Sequence, residues 1–127
     1  VQFLGYVSDE QLPLLYSSAD AFILPSEYEG FGLVLLESIA CGTPAIGADA
    51  GGIPTAIEDG KHGLVVERSI QSFATALKEI TQPDVLESLR PEVSKINNQH
   101  SWDHTVKRVE ELYEQIIYSS ALNRISQ

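Results

Sequence analysis

Short apolar runs alternate with helical patterns along this chain, and this alternation restricts its fold more than any other feature. The apolar runs are residues 1–4 ("VQFL"), 21–24 ("AFIL"), 43–47 ("TPAIG") and 64–66 ("LVV"). Helical patterns cover residues 9–19, 33–41, 54–57, 70–81, 84–97 and 102–118. Apolar strands that alternate with helices build β-α-β units, in which parallel strands form one sheet covered by helices. The sequence therefore predicts an α/β fold, a partial Rossmann-like parallel sheet of about four strands with flanking helices.

The length of the chain suits one domain. With 127 residues, of which 43% are hydrophobic, the chain can build one core but is too short for two ordinary domains. We expect a single domain over residues 1–127, which ends in a helix and tail over residues 101–127. A sheet of four strands would leave an apolar edge unpaired, so we also expect the domain to be truncated, with further strands upstream.

The charge balance excludes several classes of partner. Eighteen acidic residues against eight basic ones give a formal net charge of -10, which repels nucleic acid and anionic lipid surfaces. We therefore expect no nucleic-acid partner and no membrane contact. A single cysteine forms no internal disulfide, and the sequence shows no secretory signal and no apolar run of about 18 residues. The expected location is the cytoplasm.

The segment "SEYEGFGLVLLES" (residues 26–38) joins an apolar run to a helix. In open α/β sheets, ligands bind beyond the carboxyl ends of the strands, where such junctions lie. Glu29 falls in the loop and Glu37 about one turn into the helix, so the two carboxylates bracket the helix start. Backbone N–H groups at a helix start attract anions. The residues that supply them here are Gly30, Phe31, Gly32 and Leu33.

This arrangement indicates a phosphate at the helix start, with carboxylates that accept hydrogen bonds from hydroxyl groups on both sides. Ribose and sugar hydroxyls fit that description, so the predicted ligand is a sugar nucleotide. The spacing of the two acids alone is weak evidence, because chance placement of twelve glutamates predicts about one such pair and Glu79 with Glu87 is another. Several roles stay open. Phe31 packs or contacts ligand, Ser26 caps the helix or contacts ligand, and the glycines at 51 and 52 line the site or form a turn.

The stretch "PSEYEGFGLVLLESIACGTPAIGADAGGIPTAIEDGKHGLVV" closely resembles the donor-binding segment of retaining glycosyltransferases of family 4, also called group 1, which have the two-domain GT-B fold. The similarity extends from "VQFLGYVSDEQLPLLYSSADAFILPS" to "HSWDHTVKRVEELYEQI". The resemblance implies that the chain is roughly the second half of the C-terminal, Rossmann-like nucleotide-sugar domain. The acceptor domain would then lie upstream.

The resemblance also implies roles for particular residues. Glu37 would hold the ribose hydroxyls, and Glu29, our candidate catalytic residue, would lie by the donor sugar hydroxyls. The amides of residues 30–33 would meet the sugar and diphosphate. The turn that would edge the nucleobase is formed by Tyr6, Val7 and Ser8.

The implied reaction moves a sugar from a nucleoside diphosphate to a sugar, glycan or lipid-linked acceptor, with retention of the anomeric configuration. No metal and no cofactor is expected. In this family, an arginine and a lysine that neutralise the departing diphosphate normally precede the "VQFLGYV" strand, and no residue here stands in for them. The chain alone is therefore expected to be catalytically incomplete.

Other functions on the same architecture stay open, because fold alone does not fix the reaction. One is a sugar-nucleotide epimerase, and another is an α-glucan-type phosphorylase. A phosphorylase that uses pyridoxal phosphate needs a Schiff-base lysine, whereas the lysines here are predicted in turns or on helices, at Lys61, Lys78, Lys95 and Lys107. A third alternative is a non-catalytic nucleotide-binding or interaction module.

Overall fold

A computed structural model describes the backbone of residues 1–95 and 101–125 and the side chains of residues 1–89 and 101–118. The chain divides into two compact units, Val1–Ile96 and Asn97–Gln127. Its elements are α1 (Leu12–Ser18), β1 (Phe22–Leu24), α2 (Leu33–Ala40), β2 (Ala45–Ala48), α3 (Ile53–Ala56), β3 (Gly63–Val66), α4 (Ile70–Ile80), α5 (Pro83–Lys95) and α6 (Trp102–Ile125). The expectation of one domain over the whole chain stays a prediction.

The three strands form one parallel sheet in the order β1-β2-β3. Ile46 of β2 lies opposite Ile23 of β1 and Leu64 of β3. All four residues of β2 are buried, because the central strand of a parallel sheet is covered on both faces. The predicted fold class, an α/β parallel sheet with flanking helices, is confirmed. The carboxyl ends of all three strands lie at the same edge of the sheet.

Two apolar clusters hold helices of the first unit, among them α2, α3 and α4, against the sheet. In one cluster, Leu35 of α2 packs with Ile53 of α3. In the other, Ile46 packs with Ile80 of α4. Each of these side chains is fully buried, which is worth about 1.5 to 3 kcal/mol apiece. The fit of α3 is especially close, since a Cβ at Gly47 of β2 would lie 2.4 Å from Cγ2 of Ile53.

The strand predicted over residues 1–4 is wrong. These residues form no strand, and the side chains of Phe3 and Leu4 are 94% and 54% exposed. An apolar run becomes a strand only when a neighbour completes its hydrogen bonds, and none of the three strands in the described residues pairs with it. The described sheet therefore has three strands where the sequence predicted four.

The sequence predicts two helix caps, by Ser8 before the helical pattern over residues 9–19 and by Ser101 before the pattern over residues 102–118. In the second unit, Ser101 Oγ accepts a hydrogen bond from the backbone N–H of His104 at 3.2 Å, which confirms the cap of α6. In the first unit, α1 begins at Leu12, as Pro13 in its first turn favours. The predicted cap by the Ser8 side chain is wrong, because the Ser8 hydroxyl bonds to the Glu10 carboxylate and lowers its pKa. The Ser8 carbonyl oxygen accepts the backbone hydrogen bonds instead.

Candidate functional site

The acidic loop, residues 25–32, runs from the end of β1 to the start of α2. The loops after β2 and β3, residues 49–52 and 67–69, begin at the same edge of the sheet. This edge is where open α/β sheets bind their ligands. The structure thus places the predicted carboxylate loop at the same sheet edge as the loops after β2 and β3.

A glycine pair after β2 supports the acidic loop through direct backbone contact. The N–H of Gly52 donates to the carbonyl oxygen of Glu29 at 3.0 Å. A Cβ at Gly52 would lie 2.3 Å from the carbonyl oxygen of Gly30. A Cβ at Gly51, which has φ +53°, would lie 2.0 Å from that of Glu29. No other residue type fits here without moving the acidic loop, so this pair is a backbone support.

Arg68, in the loop after β3, also contacts the acidic loop. Its Nε donates to the carbonyl oxygen of Pro25 at 3.3 Å, and its Nη2 pairs with Glu27 Oε2 at 3.1 Å. Both side chains of the ion pair are about half exposed, so the pair adds less than about 1 kcal/mol. Sequence reasoning missed Arg68. A basic residue two positions beyond the end of an apolar run is the signal that points to it.

The carboxylate of Glu29 lies at the start of α2. Its Oε1 accepts a hydrogen bond from the backbone N–H of Gly32 at 3.1 Å. Gly32 precedes the helix with φ 81°, a left-handed conformation, and is buried. A negative charge near the positive end of a helix is favourable. One of the four predicted amides, that of Gly32, is therefore already bonded to Glu29 in this structure.

The next two amides at the start of α2 have no hydrogen-bond acceptor within residues 1–95. Within residues 1–95, no protein group accepts a hydrogen bond from the backbone N–H of Leu33 or Val34. A Cβ at Gly30 would meet nothing within 4 Å, and Tyr28 and Phe31 are 88% and 41% exposed. The surface beside the start of α2 is therefore open and offers N–H groups to an anion.

Glu37 lies on the same helical face as Leu33, since the two are four residues apart in α2. Its side chain is exposed, and its Oε2 accepts a hydrogen bond from the Tyr16 hydroxyl at 3.2 Å. Burial, together with the Glu37 charge, raises the pKa of Tyr16 to about 12. Burial and Glu37 also raise the pKa of the Cys41 thiol. Tyr16 therefore stays a protonated donor at neutral pH, and Cys41 stays a thiol.

The N-terminal turn, residues 6–8, lies before α1. Tyr6 is 92% exposed, whereas Val7 and Ser8 are half buried. The carbonyl oxygen of Ser8 accepts the N–H groups of Gln11 and Leu12, both at 3.0 Å. The turn borders a groove of about 450 Å³ together with apolar side chains of α1. Its hydrogen bonds are thus local to the start of α1.

The predicted site residues fall into two groups. The first group occupies the acidic loop and the first half of α2: Ser26, Glu29, Gly30, Phe31, Gly32, Leu33 and Glu37. The second group is the N-terminal turn: Tyr6, Val7 and Ser8. Among the residues that the structure describes, no hydrogen bond or ion pair joins the two groups. Ser26 is half buried and caps no helix there.

Two further searches concern metals and membranes. Within the described side chains, no three or more His, Cys, Asp or Glu residues are grouped so as to hold a metal ion. Across the helices of residues 1–95 and 101–125, none combines the length and apolar character needed to cross a bilayer.

Two solved structures share this fold. Sucrose-phosphate synthase from Thermosynechococcus elongatus superposes with a TM-score of 0.79 at 30% identity, over 93% of this chain and 30% of that one. Anabaena Alr3699/HepE, in complex with UDP and glucose, gives 0.74 at 25% identity, over 90% of this chain and 32% of that one.

Comparison of the sequence with known proteins agrees with the comparison of structures. The D-inositol 3-phosphate glycosyltransferase of Rhodococcus jostii (strain RHA1) is 36% identical over 115 residues, which is 89% of this chain and 25% of that protein. The chain therefore spans about a quarter of the length of the curated relatives it matches. The profile of one family, "Glycosyl transferases group 1", matches residues 1–97. This chain belongs to the group 1 glycosyltransferase family.

Proposed function

We propose that this chain is the nucleotide-sugar-binding part of a retaining glycosyltransferase. In this proposal it is about the second half of the C-terminal domain in a longer protein, here called the parent. The parent transfers a sugar from a nucleoside diphosphate to a sugar, glycan or lipid-linked acceptor bound by its N-terminal domain. The observation that carries the proposal is the open start of α2, where Glu29 bonds to the amide of Gly32 and the next two amides have no acceptor within residues 1–95.

The start of α2 supplies the proposed diphosphate contacts. The N–H groups of Leu33 and Val34 lack an acceptor within residues 1–95, and the positive end of the helix dipole favours an anion there. Gly30 has open space where a Cβ would stand, so a ligand can approach its backbone closely. Phe31 and Leu33 are 41% and 63% exposed and form the apolar part of the same surface.

The two carboxylates supply the proposed hydroxyl contacts. Glu37 accepts hydrogen bonds from the ribose hydroxyls, and Glu29 lies by the hydroxyls of the donor sugar, where it assists transfer. Charge-assisted hydrogen bonds of this kind are about twice as strong as neutral ones. Ser26 of the acidic loop contacts the donor, and the N-terminal turn (Tyr6, Val7 and Ser8) edges the nucleobase. That the Alr3699/HepE structure contains UDP and glucose supports a ligand of this class.

The departing diphosphate needs positive charge in addition to amides. The Arg68 guanidinium already pairs with Glu27, so we assign neutralisation to the arginine and lysine that the family carries upstream. The acceptor attacks from the face that the diphosphate leaves, which retains the anomeric configuration. The chemistry is electrostatic and uses no metal or cofactor. A cytoplasmic location stays a prediction from composition.

The family match does not favour an epimerase or a phosphorylase. Lys61, one of the lysines considered for a Schiff base, pairs with Glu58 in an exposed turn. A non-catalytic module describes at most the isolated chain, because the donor contacts proposed here serve a transfer that the parent completes.

Substitution of the two acids in the parent tests the proposal. Glu37→Ala should weaken binding of the preferred nucleotide among UDP, GDP and ADP by about tenfold or more, since a hydrogen bond to a charged group is worth about 1.5 to 3 kcal/mol. Glu29→Gln should mainly lower kcat. Titration calorimetry and steady-state kinetics measure these effects.

The second pair of glutamates at the same spacing supplies the control. Glu79 lies exposed on α4 and Glu87 lies exposed on α5. Glu87→Ala is the control for Glu37→Ala, and Glu79→Gln is the control for Glu29→Gln. Neither control should change the nucleotide affinity or kcat. If Glu37→Ala and Glu29→Gln behave like these controls, the assignment of the donor site is wrong.

A further inference from the structure

We propose that Tyr16 is a positioning residue that holds the Glu37 carboxylate in place for the donor. This inference rests on the proposed function, in which Glu37 binds the ribose. The Tyr16 hydroxyl donates to Oε2 of Glu37 at 3.2 Å, between residues 21 positions apart on two different helices. A donor on one carboxylate oxygen leaves the other oxygen, Oε1, for a ligand hydroxyl.

Glu37 needs such a partner because it is an exposed, flexible side chain. Immobilising an unrestrained glutamate costs side-chain entropy, which reduces the affinity for a ligand that must order it on binding. Apart from the Tyr16 bond, no side-chain hydrogen bond to Glu37 is found among the described residues. Tyr16 is therefore the group in a position to restrict its rotamers before the donor arrives.

Tyr16 itself is held firmly. It is 9% exposed, and its ring meets that of Phe22 edge to face, with centroids 5.4 Å apart and planes at 81°. Its carbonyl oxygen accepts the Thr43 hydroxyl at 2.6 Å. Phe22 of β1 therefore holds the ring of Tyr16, and Thr43, just before β2, holds its backbone.

A further hydrogen bond connects Thr43 to α2. The hydroxyl of Ser38, the residue after Glu37, donates to the carbonyl oxygen of Thr43 at 3.0 Å. The chain of contacts therefore closes on itself, from Ser38 through Thr43 and Tyr16 to Glu37. A closed set of this kind allows little independent movement of α1 and α2, and it transmits the position of the buried ring to the exposed carboxylate.

The alternative is that the Glu37 carboxylate merely satisfies a buried phenol, with no consequence for ligand binding. Tyr16→Phe in the parent separates the two, because it keeps the ring and removes the hydroxyl. If Tyr16 positions Glu37, the Kd of the preferred nucleotide among UDP, GDP and ADP should rise three- to tenfold. The kcat at saturating donor should stay within twofold. Tyr113→Phe, on the exposed α6, is the matched control and should change neither.

A double-mutant cycle with Glu37→Ala decides the outcome. Once Glu37 is absent, Tyr16→Phe should cause no further loss of affinity. If Tyr16→Phe weakens binding equally in both backgrounds, or leaves Kd unchanged while Glu37→Ala raises it, the positioning role is wrong and the proposed function stands. If Glu37→Ala itself leaves Kd unchanged, the donor-site assignment fails first. Thermal unfolding without ligand verifies that each variant is folded.

Discussion

The two halves of the candidate site differ in how the chain holds them. The acidic loop is contacted by the backbone of the loop after β2 and by Arg68 from the loop after β3. Among the residues that the structure describes, the N-terminal turn makes backbone hydrogen bonds only to the start of α1. Both halves match the same family pattern. Residues 25–68 therefore position the acidic loop by their own contacts and Tyr16 bonds to Glu37, whereas motif similarity alone carries the assignment of the N-terminal turn.

Gly52→Ala should have the largest effect, and it tests whether the loop after β2 supports the acidic loop. The added Cβ would stand 2.3 Å from the carbonyl oxygen of Gly30, a backbone atom that cannot rotate away. We expect the free energy of unfolding to fall by about 1 to 3 kcal/mol, with a parallel loss of nucleotide affinity in the parent. Urea denaturation measures the first effect. Gly30→Ala, whose Cβ meets nothing within 4 Å, is the control, and equal stability of the two variants would refute the support role.

A smaller effect is expected from Gly32→Ala. A left-handed residue costs roughly 1 to 2 kcal/mol when it carries a Cβ, and this Cβ would also lie 2.8 Å from Leu35 Cδ1. The Leu35 side chain can shift, so strain at φ 81° should dominate the loss. Denaturation of this variant beside Gly30→Ala tests that expectation. Unchanged stability would mean that the start of α2 rearranges, and the acidic half would then be less rigid than described.

The pH dependence of stability tests the Tyr16 anchor. Its pKa in the folded chain is about 12, above the value near 10 expected on unfolding. The raised pKa means that its stabilising contribution is fully present below about pH 10 and is lost as pH rises through about 12, with a loss of roughly 1 kcal/mol by about pH 11. Denaturation curves should therefore show less alkaline loss for Tyr16→Phe than for the unsubstituted chain. Parallel curves would argue against a buried phenol beside Glu37.

The smallest effect is expected at Tyr6 in the N-terminal half. Because its side chain is 92% exposed, Tyr6→Ala should change the free energy of unfolding by less than about 0.5 kcal/mol. If the turn edges the nucleobase, the same variant should weaken nucleotide binding in the parent without loss of stability. Calorimetry beside denaturation measures both quantities. A clear loss of stability would show that this half is supported after all.

The sequence predicted those features that depend on neighbouring residues. The apolar run before Pro25 and the glycines before Leu33 locate β1 and α2 to within a residue or two. The strand at residues 1–4 was predicted wrongly, because strand formation depends on a partner that local apolarity does not reveal.

Contacts between distant residues were beyond such reasoning. The Tyr16 to Glu37 bond joins residues 21 positions apart, and a tyrosine on an amphipathic helix reads as a core residue. The contact between Gly52 and Glu29 depends on how two loops meet at the sheet edge. The sequence could indicate a turn at Gly51 and Gly52, but not what that turn supports.

The backbone support of the acidic loop has a consequence for which of its side chains can be exchanged. The loop is held through the carbonyl groups of Pro25 and Glu29, whereas the side chains of Tyr28 and Phe31 are 88% and 41% exposed. Substitution of these two side chains therefore need not disturb the contacts that hold the loop. A combinatorial library at Tyr28 and Phe31 should therefore retain folded members at high frequency, and under the proposed function its members altered at Phe31 should differ in their affinity for the donor.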